Sequence, residues 1–265
     1  MANNWDEIRN QAVTWAHEAG DVIRESFEKE LTIETKSNAD DLVTNMDREV
    51  EEYLINKIKE SYPEHQILGE EGIGEEVTSL EGTVWIIDPI DGTMNFVHQQ
   101  TNFAISIGVY HEGVGMVGVI YNVIYDEMFH AVKGKGAFLN DVKLPELEGV
   151  PIEKSIIAIN ATWITRNERI DPARLVPVVD RCRGTRSYGS AAIELAFVAS
   201  GRLDAYITMR LSPWDFAAGK VLIEEVGGRV TNLDGDPLDM LGRNSIFAGK
   251  AGLHQQILEE YLSDD

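Results

Sequence analysis

The chain has 265 residues, 43% hydrophobic and 26% charged with only 8 prolines, which excludes whole-chain disorder and allows one or two domains with a sizeable core. Lys and Arg number 23 against 45 Asp and Glu, a formal charge of −22, so the surface repels polyanions and sets nucleic acids and anionic membranes aside as partners. The single cysteine, Cys182, cannot close an internal disulfide, no Cys/His spacing suits zinc, and residues 1–10 lack the basic and apolar segments of a secretory leader, so a cytoplasmic location is expected.

From Trp5 to Phe27 apolar residues recur at three- and four-residue steps, which predicts an amphipathic helix. A polar stretch over 28–41 reads as an exposed loop or ragged hairpin, and a second helix follows from about Met46 to Ser61, ended by Pro63. The β-branched run 83–88 stops at Pro89, where a turn is expected because Pro cannot continue a central strand. Residues 103–110, 116–122 and 127–132 form β-like runs at close spacing and predict an antiparallel meander. The stretch 103–125 is nearly free of charge, but His111, Glu112 and Gly113 break it into two strands and a turn rather than a membrane span.

Beyond a loop at 133–154, strands at 155–160, 204–208, 229–232 and 245–249 alternate with helices at about 172–182, 191–200, 215–226 and 252–262, with Ser190 as an N-cap and Gly201 just past a C-terminus. The first half therefore reads as α+β and the second as layered α/β. A single unit is expected, with two closely packed lobes at about 1–150 and 151–265 and one cleft between them.

Four segments carry carboxylates where local structure does not ask for them: Asp47 after Asp41-Leu42-Val43-Thr44, Glu70-Glu71 after Gly69, the run Asp88-Pro89-Ile90-Asp91-Gly92-Thr93, and Trp214-Asp215. The run from Asp88 aims two carboxylates and the Ile90 carbonyl toward one space, and converging hard oxygens favour Mg²⁺. It reads equally as a turn in which Asp caps, Pro stiffens and Gly supplies a positive φ. Glu70-Glu71 reads also as a solvated acidic surface, and Asp215 as a favourable charge at a helix start. A cleft holding Glu70, Asp88, Asp91 and Asp215 together needs cations, since close carboxylates resist joint ionisation. Bound Mg²⁺ would also invert the local field and admit an anionic substrate, and phosphate esters suit such a site. The chain has no G-x-x-x-x-G-K-[ST] loop and no strand-borne G-x-G-x-x-G, and Ser106 and Ser190 lie outside any G-x-S-x-G elbow.

Gly69-Glu70-Glu71, Asp88-Pro89-Ile90-Asp91-Gly92-Thr93-Met94-Asn95-Phe96 and Trp214-Asp215-Phe216-Ala217-Ala218-Gly219 together closely resemble the inositol monophosphatase family. Asp41 to Thr44 with Asp47 upstream, and Gly189 to Ala192 with Asp204-Ala205-Tyr206 downstream, fit in order and separation, so the resemblance covers nearly the whole chain. It implies a Mg²⁺-dependent, Li⁺-sensitive phosphatase, usually homodimeric, folded as a layered αβαβα sandwich of the inositol monophosphatase and fructose-1,6-bisphosphatase type. By resemblance, Glu70, Asp88 and the Ile90 carbonyl hold one metal, Asp88, Asp91 and Asp215 a second, and a weaker third sits near Glu70. Thr93, oriented by Asp47, would help Glu70 activate the attacking water. Asp91, Gly92, Thr93, Ser190, Ala191, Thr208, Arg210 and Asp215 would contact substrate, and Lys36 would lie on a flap over the metals.

One departure bears on the substrate. Seven residues before Asp215, inositol-selective members commonly carry a Glu, where this chain has Thr208 with Arg210 close behind. Besides myo-inositol monophosphates, NADP(H) and fructose 1,6-bisphosphate therefore stay open, because an Arg fork matches a second phosphate. A 3′-phosphoadenosine 5′-phosphate nucleotidase and a non-catalytic metabolite-binding protein are further alternatives.

Overall fold

The computed structural model describes residues 4–28, 33–35, 42–73 and 76–262. Helix α1 (Trp5–Ser26) opens at Asn4, whose side chain accepts from the Glu7 N–H, and buries Ile8, Ala12, Trp15, Ala16, Ala19 and Ile23 along the stripe that its apolar spacing predicts. Strands β1 (Ile33–Thr35) and β2 (Leu42–Thr44) pair antiparallel within the expected ragged hairpin, and α2 (Asn45–Ser61) follows.

Next come β3 (Gln66–Gly69), β4 (Thr83–Asp91), α3 (Thr93–Gln99), β5 (Ala104–His111), β6 (Val114–Asn122), β7 (Glu127–Val132), β8 (Gly136–Leu139) and β9 (Val142–Lys143). These strands form a seven-stranded sheet in chain order, antiparallel apart from the parallel β3–β4 pair. The expected meander is present but longer, since residues 136–143, expected as loop, add a hairpin to its edge.

The rest comprises β10 (Ile156–Ile159), α4 (Pro172–Arg181), β11 (Gly184–Arg186), α5 (Ala191–Ala199), β12 (Ala205–Leu211), α6 (Pro213–Glu225), β13 (Gly228–Thr231), β14 (Asn244–Lys250) and α7 (Ala251–Ile257). The five strands lie in the order β11-β10-β12-β14-β13, parallel across the first three and antiparallel beyond. Helix α6 begins two residues before the expected 215, because Ser212 is the N-cap and Asp215 closes a capping box behind Pro213.

Strand alternation assigns the layers. In β4, Trp85 and Ile87 pack with α1 and α2, whereas Val84 and Ile86 pack with α5 and α6. In β12, Tyr206 joins the α5 and α6 core, while Ala205 and Ile207 pack with Leu175 of α4 and Leu253 of α7. The order helices, sheet, helices, sheet, helices is the αβαβα sandwich.

Glycines set how closely α6 approaches. Gly108 and Gly118 are cross-strand partners on β5 and β6, and a Cβ on Gly118 would lie 2.5 Å from the Ala218 carbonyl oxygen. The α6 backbone therefore rests directly on the seven-stranded sheet, which brings Asp215 toward the end of β4.

Pro89 does not end β4, contrary to the expectation of a turn. Asp88 pairs with Ser106 and Asp91 with Ala104, three steps on one strand against two on the other, so a bulge leaves one residue unpaired. Pro tolerates that position, having no N–H to donate. The extra residue also resets the alternation: without it Asp91 would face the side opposite Asp88, and with it both carboxylates face the α5–α6 layer.

Candidate active site

The acidic residues arrive from four elements. Asp47 is the third residue of α2, and its Oδ2 accepts from the Thr44 N–H and hydroxyl, both at 2.7 Å. Its Oδ1 accepts from the Thr93 hydroxyl at 3.1 Å, and that hydroxyl also lies 3.2 Å from the Ile90 carbonyl oxygen. Burial pushes the Asp47 carboxyl up to about 6, opposed by the hydrogen bonds from Thr44 and reinforced by the charges of Glu71 and Glu70.

Glu70 follows β3 and is hydrogen-bonded to Asp88. Its loop is held by a residue that sequence reasoning missed: the fully buried Glu51 of α2 accepts from the N–H groups of Glu71 at 2.8 Å and Ile73 at 3.2 Å. The signal was available, since Asp47 and Glu51 stand four residues apart on the face of α2 that also buries Val50 and Leu54.

Asp88, Asp91 and Asp215 converge, each offering a carboxylate oxygen within 4.8 Å of the others. Asp88 is 1% exposed and accepts from the Ile90 N–H at 3.0 Å. Asp91 accepts from the Ser190 hydroxyl and from the Ala192 N–H at 2.9 Å, so it closes the N-terminus of α5 together with the cap Ser190. Asp215 accepts from the Ser212 N–H at 2.7 Å. Burial holds Asp88 and Asp215 well above the ordinary carboxylate range, with Glu70 and Asp91 adding repulsion to each, and raises Asp91 to about 6. Arg243 opposes the shift at Asp215. Buried oxygens that repel one another this strongly fit a small divalent cation.

Gly92 has φ +93° and caps α3, placing Thr93 at its first position. A cleft of about 510 Å³ opens from Asp91 and Asp215 past Ser190 and Ala191 to Thr208 and Arg210. Of the expected substrate-side residues, Asp91, Ser190, Ala191, Thr208, Arg210 and Asp215 line this space and Gly92 and Thr93 do not, while Glu194, Tyr206 and Trp163, which sequence reasoning had not assigned to the site, do. Lys36 lies outside the described residues.

The model of the inositol monophosphatase family matches residues 4–263. The chain belongs to the inositol monophosphatase family. Its members are phosphomonoesterases, and this chain is one. It is 59% identical over 98% of both chains to "Inositol-1-monophosphatase" of Bacillus subtilis (strain 168). Among solved structures, inositol monophosphatase-II from Staphylococcus aureus MSSA476 is similar at 45% identity and TM-score 0.89, covering 97% of this chain and 96% of that one. Forms of SaIMPase-II with inositol monophosphate bound and with 2′-AMP bound are similar at TM-scores of 0.87 and 0.88. An IMPase/NADP phosphatase complexed with Mg²⁺ and phosphate matches at 29% identity and TM-score 0.88, covering 97% of this chain and 95% of that one. Mg²⁺ is the family's cofactor, and the acidic cluster of this chain suits it.

Proposed function

We propose that this phosphatase hydrolyses phosphomonoesters of polyols, myo-inositol monophosphates first among them, using two or three Mg²⁺ ions. The observation that carries this reading is the convergence of three carboxylates, buried at Asp88 and Asp91 and half-buried at Asp215, beside a Thr93–Asp47 hydrogen bond. Glu70, Asp88 and the Ile90 carbonyl would hold one ion, Asp88, Asp91 and Asp215 a second, and Glu70 would contribute to a weaker third. When bound, Mg²⁺ supplies charge neutralisation for the phosphate and a more acidic water.

The chain's own groups account for the rest. Asp47 takes the Thr93 proton into a hydrogen bond, which leaves a Thr93 Oγ lone pair to orient the attacking water. Glu70 accepts a proton from that water. The N–H groups of Gly92 and Thr93 bind phosphate, and Ser190, Ala191, Thr208 and Arg210 face the leaving alcohol. Phosphoryl transfer asks mainly for positioning and neutralised charge, and this set supplies both without a covalent intermediate.

We take the chain as one working unit of two lobes, about 1–150 and 151–265, acting in the cytoplasm as a Li⁺-sensitive homodimer. Among the described residues no helix is long and apolar enough to cross a membrane, in keeping with that location.

Arg210 favours a second reading, in which the substrate carries another phosphate, as in NADP(H) or fructose 1,6-bisphosphate. Phosphate release with Mg²⁺ from inositol 1-phosphate, NADP⁺, fructose 1,6-bisphosphate and 3′-phosphoadenosine 5′-phosphate tests both. Inositol 1-phosphate leading in kcat/KM supports the first reading, and a bisphosphorylated substrate leading overturns it.

A further inference from the structure

Glu194 is the one acid in α5, whose other residues from Ala191 to Ala199 are all apolar, and it is 4% exposed. A carboxylate among such neighbours is costly unless it is held. It is held on two sides, and both sides belong to the cleft that it lines with Asp91 and Asp215.

On the first side it accepts from the Tyr188 N–H at 2.6 Å and from the Gly189 N–H. The same two residues are gripped from α3, where Asn95 donates to the Tyr188 carbonyl at 2.7 Å and sits so close that a Cβ on Gly189 would lie 3.0 Å from it. The next residue is Ser190, which donates to Asp91. On the second side Glu194 is hydrogen-bonded to the Tyr206 hydroxyl, which is in turn hydrogen-bonded to Thr208. Burial raises Glu194 to about 7, and above that pH the ionised carboxylate only accepts, so Thr208 donates to Tyr206 and Tyr206 to Glu194. With its proton committed inward, Thr208 has only lone pairs left to offer the cleft.

We propose that Glu194 is a positioning residue joining the two walls of the cleft: it anchors the Tyr188–Gly189 loop behind Ser190 and Asp91, and it directs the Tyr206–Thr208 chain so that Thr208 accepts from a free hydroxyl on the leaving alcohol. The second limb rests on the reading that this cleft receives the leaving alcohol. The device selects alcohols carrying a further hydroxyl, a polyol, over those that present only acceptors.

Glu194→Gln separates the limbs. Its oxygen still accepts from the loop, while its amide donates to Tyr206 and reverses the chain, so Thr208 turns a proton to the cleft. The test compares E194Q, E194A and Y206F with the wild type by calorimetric Mn²⁺ binding to the metal-free protein, by melting temperature, and by kcat and KM on inositol 1-phosphate and p-nitrophenyl phosphate. We expect E194Q and Y206F to bind Mn²⁺ as the wild type does and to raise KM for inositol 1-phosphate about tenfold, the loss of one hydrogen bond, with kcat and p-nitrophenyl phosphate hydrolysis little changed. E194A should also weaken Mn²⁺ binding. E194Q losing equally on both substrates with a lowered melting temperature, or matching the wild type on both, overturns the proposal. A wild type that cleaves p-nitrophenyl phosphate but not inositol 1-phosphate removes the substrate reading. Mn²⁺ binding then decides the anchoring limb, and E194A binding like the wild type overturns it.

Discussion

Glu51 and Gly69 meet so closely that a Cβ on Gly69 would lie 2.6 Å from the Glu51 carboxyl. The contact lets one buried carboxylate take the N–H groups of Glu71 and Ile73 and so hold the loop on which Glu70 stands. Burial raises the Glu51 carboxyl above its ordinary range, and those two hydrogen bonds oppose the rise. Glu51→Gln keeps the size but weakens the acceptor. It should lower kcat/KM roughly ten- to a hundredfold, the range for outer partners of metal ligands, with the fold kept. Kinetics beside a far-ultraviolet spectrum checks this, and unchanged Mg²⁺-dependent activity would remove Glu51 from the site's support.

Helix α6 depends on the Gly108–Gly118 pair, where a Cβ on Gly118 meets the Ala218 carbonyl oxygen and one on Gly108 the Ala217 Cβ, neither of them a yielding side-chain end. Gly118→Ala must push α6 away from the sheet, at an overpacking cost of about 1–3 kcal/mol. The melting temperature should fall by about 2–4 °C for each kcal/mol lost. Mg²⁺ affinity should weaken with it, because Asp215 rides on that helix. A thermal melt and a Mg²⁺ activation curve on the same variant test both.

Much of this site was legible because its chemistry is carried by residue type and spacing. Asp88, Asp91 and Asp215 stood out as acids beside Pro, Gly and Trp, and the capping role of Ser190 followed from the apolar run behind it. The bulge at Pro89 was not legible, because the usual exclusion of Pro from central strands holds for paired positions and a bulge leaves one residue unpaired. Strand β3 and the β8–β9 hairpin escaped notice for another reason: runs of two to four residues have no period to read, and their pairing depends on neighbours in space. Glu51 and Glu194 were hidden in plain composition, two acids among 45, until burial and backbone partners distinguished them.

Asp91→Asn removes a charge while keeping an oxygen that can still accept from Ser190 and the Ala192 N–H. The N-terminus of α5 should therefore stay closed and the protein folded. Activity should fall by more than about a hundredfold, since a direct ligand costs more than an outer partner. A folded Asp91→Asn protein with wild-type kcat/KM would refute the proposed metal assignment.

The acidic cluster also sets a pH dependence. Asp47 and Asp91 rise to about 6 in the folded protein, and Asp88 and Asp215 rise well above their ordinary range, all chiefly through burial. Unfolded aspartates titrate near 4, so above that pH the metal-free folded state binds more protons than the unfolded one. Stability is then lost as pH rises from about 4 through the folded values, and self-repulsion at a formal charge of −22 adds in the same direction. The melting temperature of chelator-treated protein should be lower at pH 8 than at pH 5, and Mg²⁺ should raise it more at pH 8. Equal Mg²⁺ shifts at the two pH values would mean that protons and metal do not compete for these carboxylates.

Arg210 and Thr208 share the cleft-facing side of β12 and pull the substrate reading in opposite directions. An exposed guanidinium gains much from a second phosphate, because a charge-assisted hydrogen bond is worth about 1.5–3 kcal/mol, whereas it gains little from a neutral polyol. On the proposed proton order, Thr208 donates inward to Tyr206 and so offers a polyol hydroxyl an acceptor and repels an anion. Arg210→Ala should therefore change kcat/KM for inositol 1-phosphate by less than about threefold if the polyol reading holds, an effect under ~1 kcal/mol. The same variant should cost fructose 1,6-bisphosphate or NADP⁺ more than about tenfold only if Arg210 anchors a second phosphate. Measuring all three substrates on both proteins separates the outcomes, because the two residues predict opposite rankings.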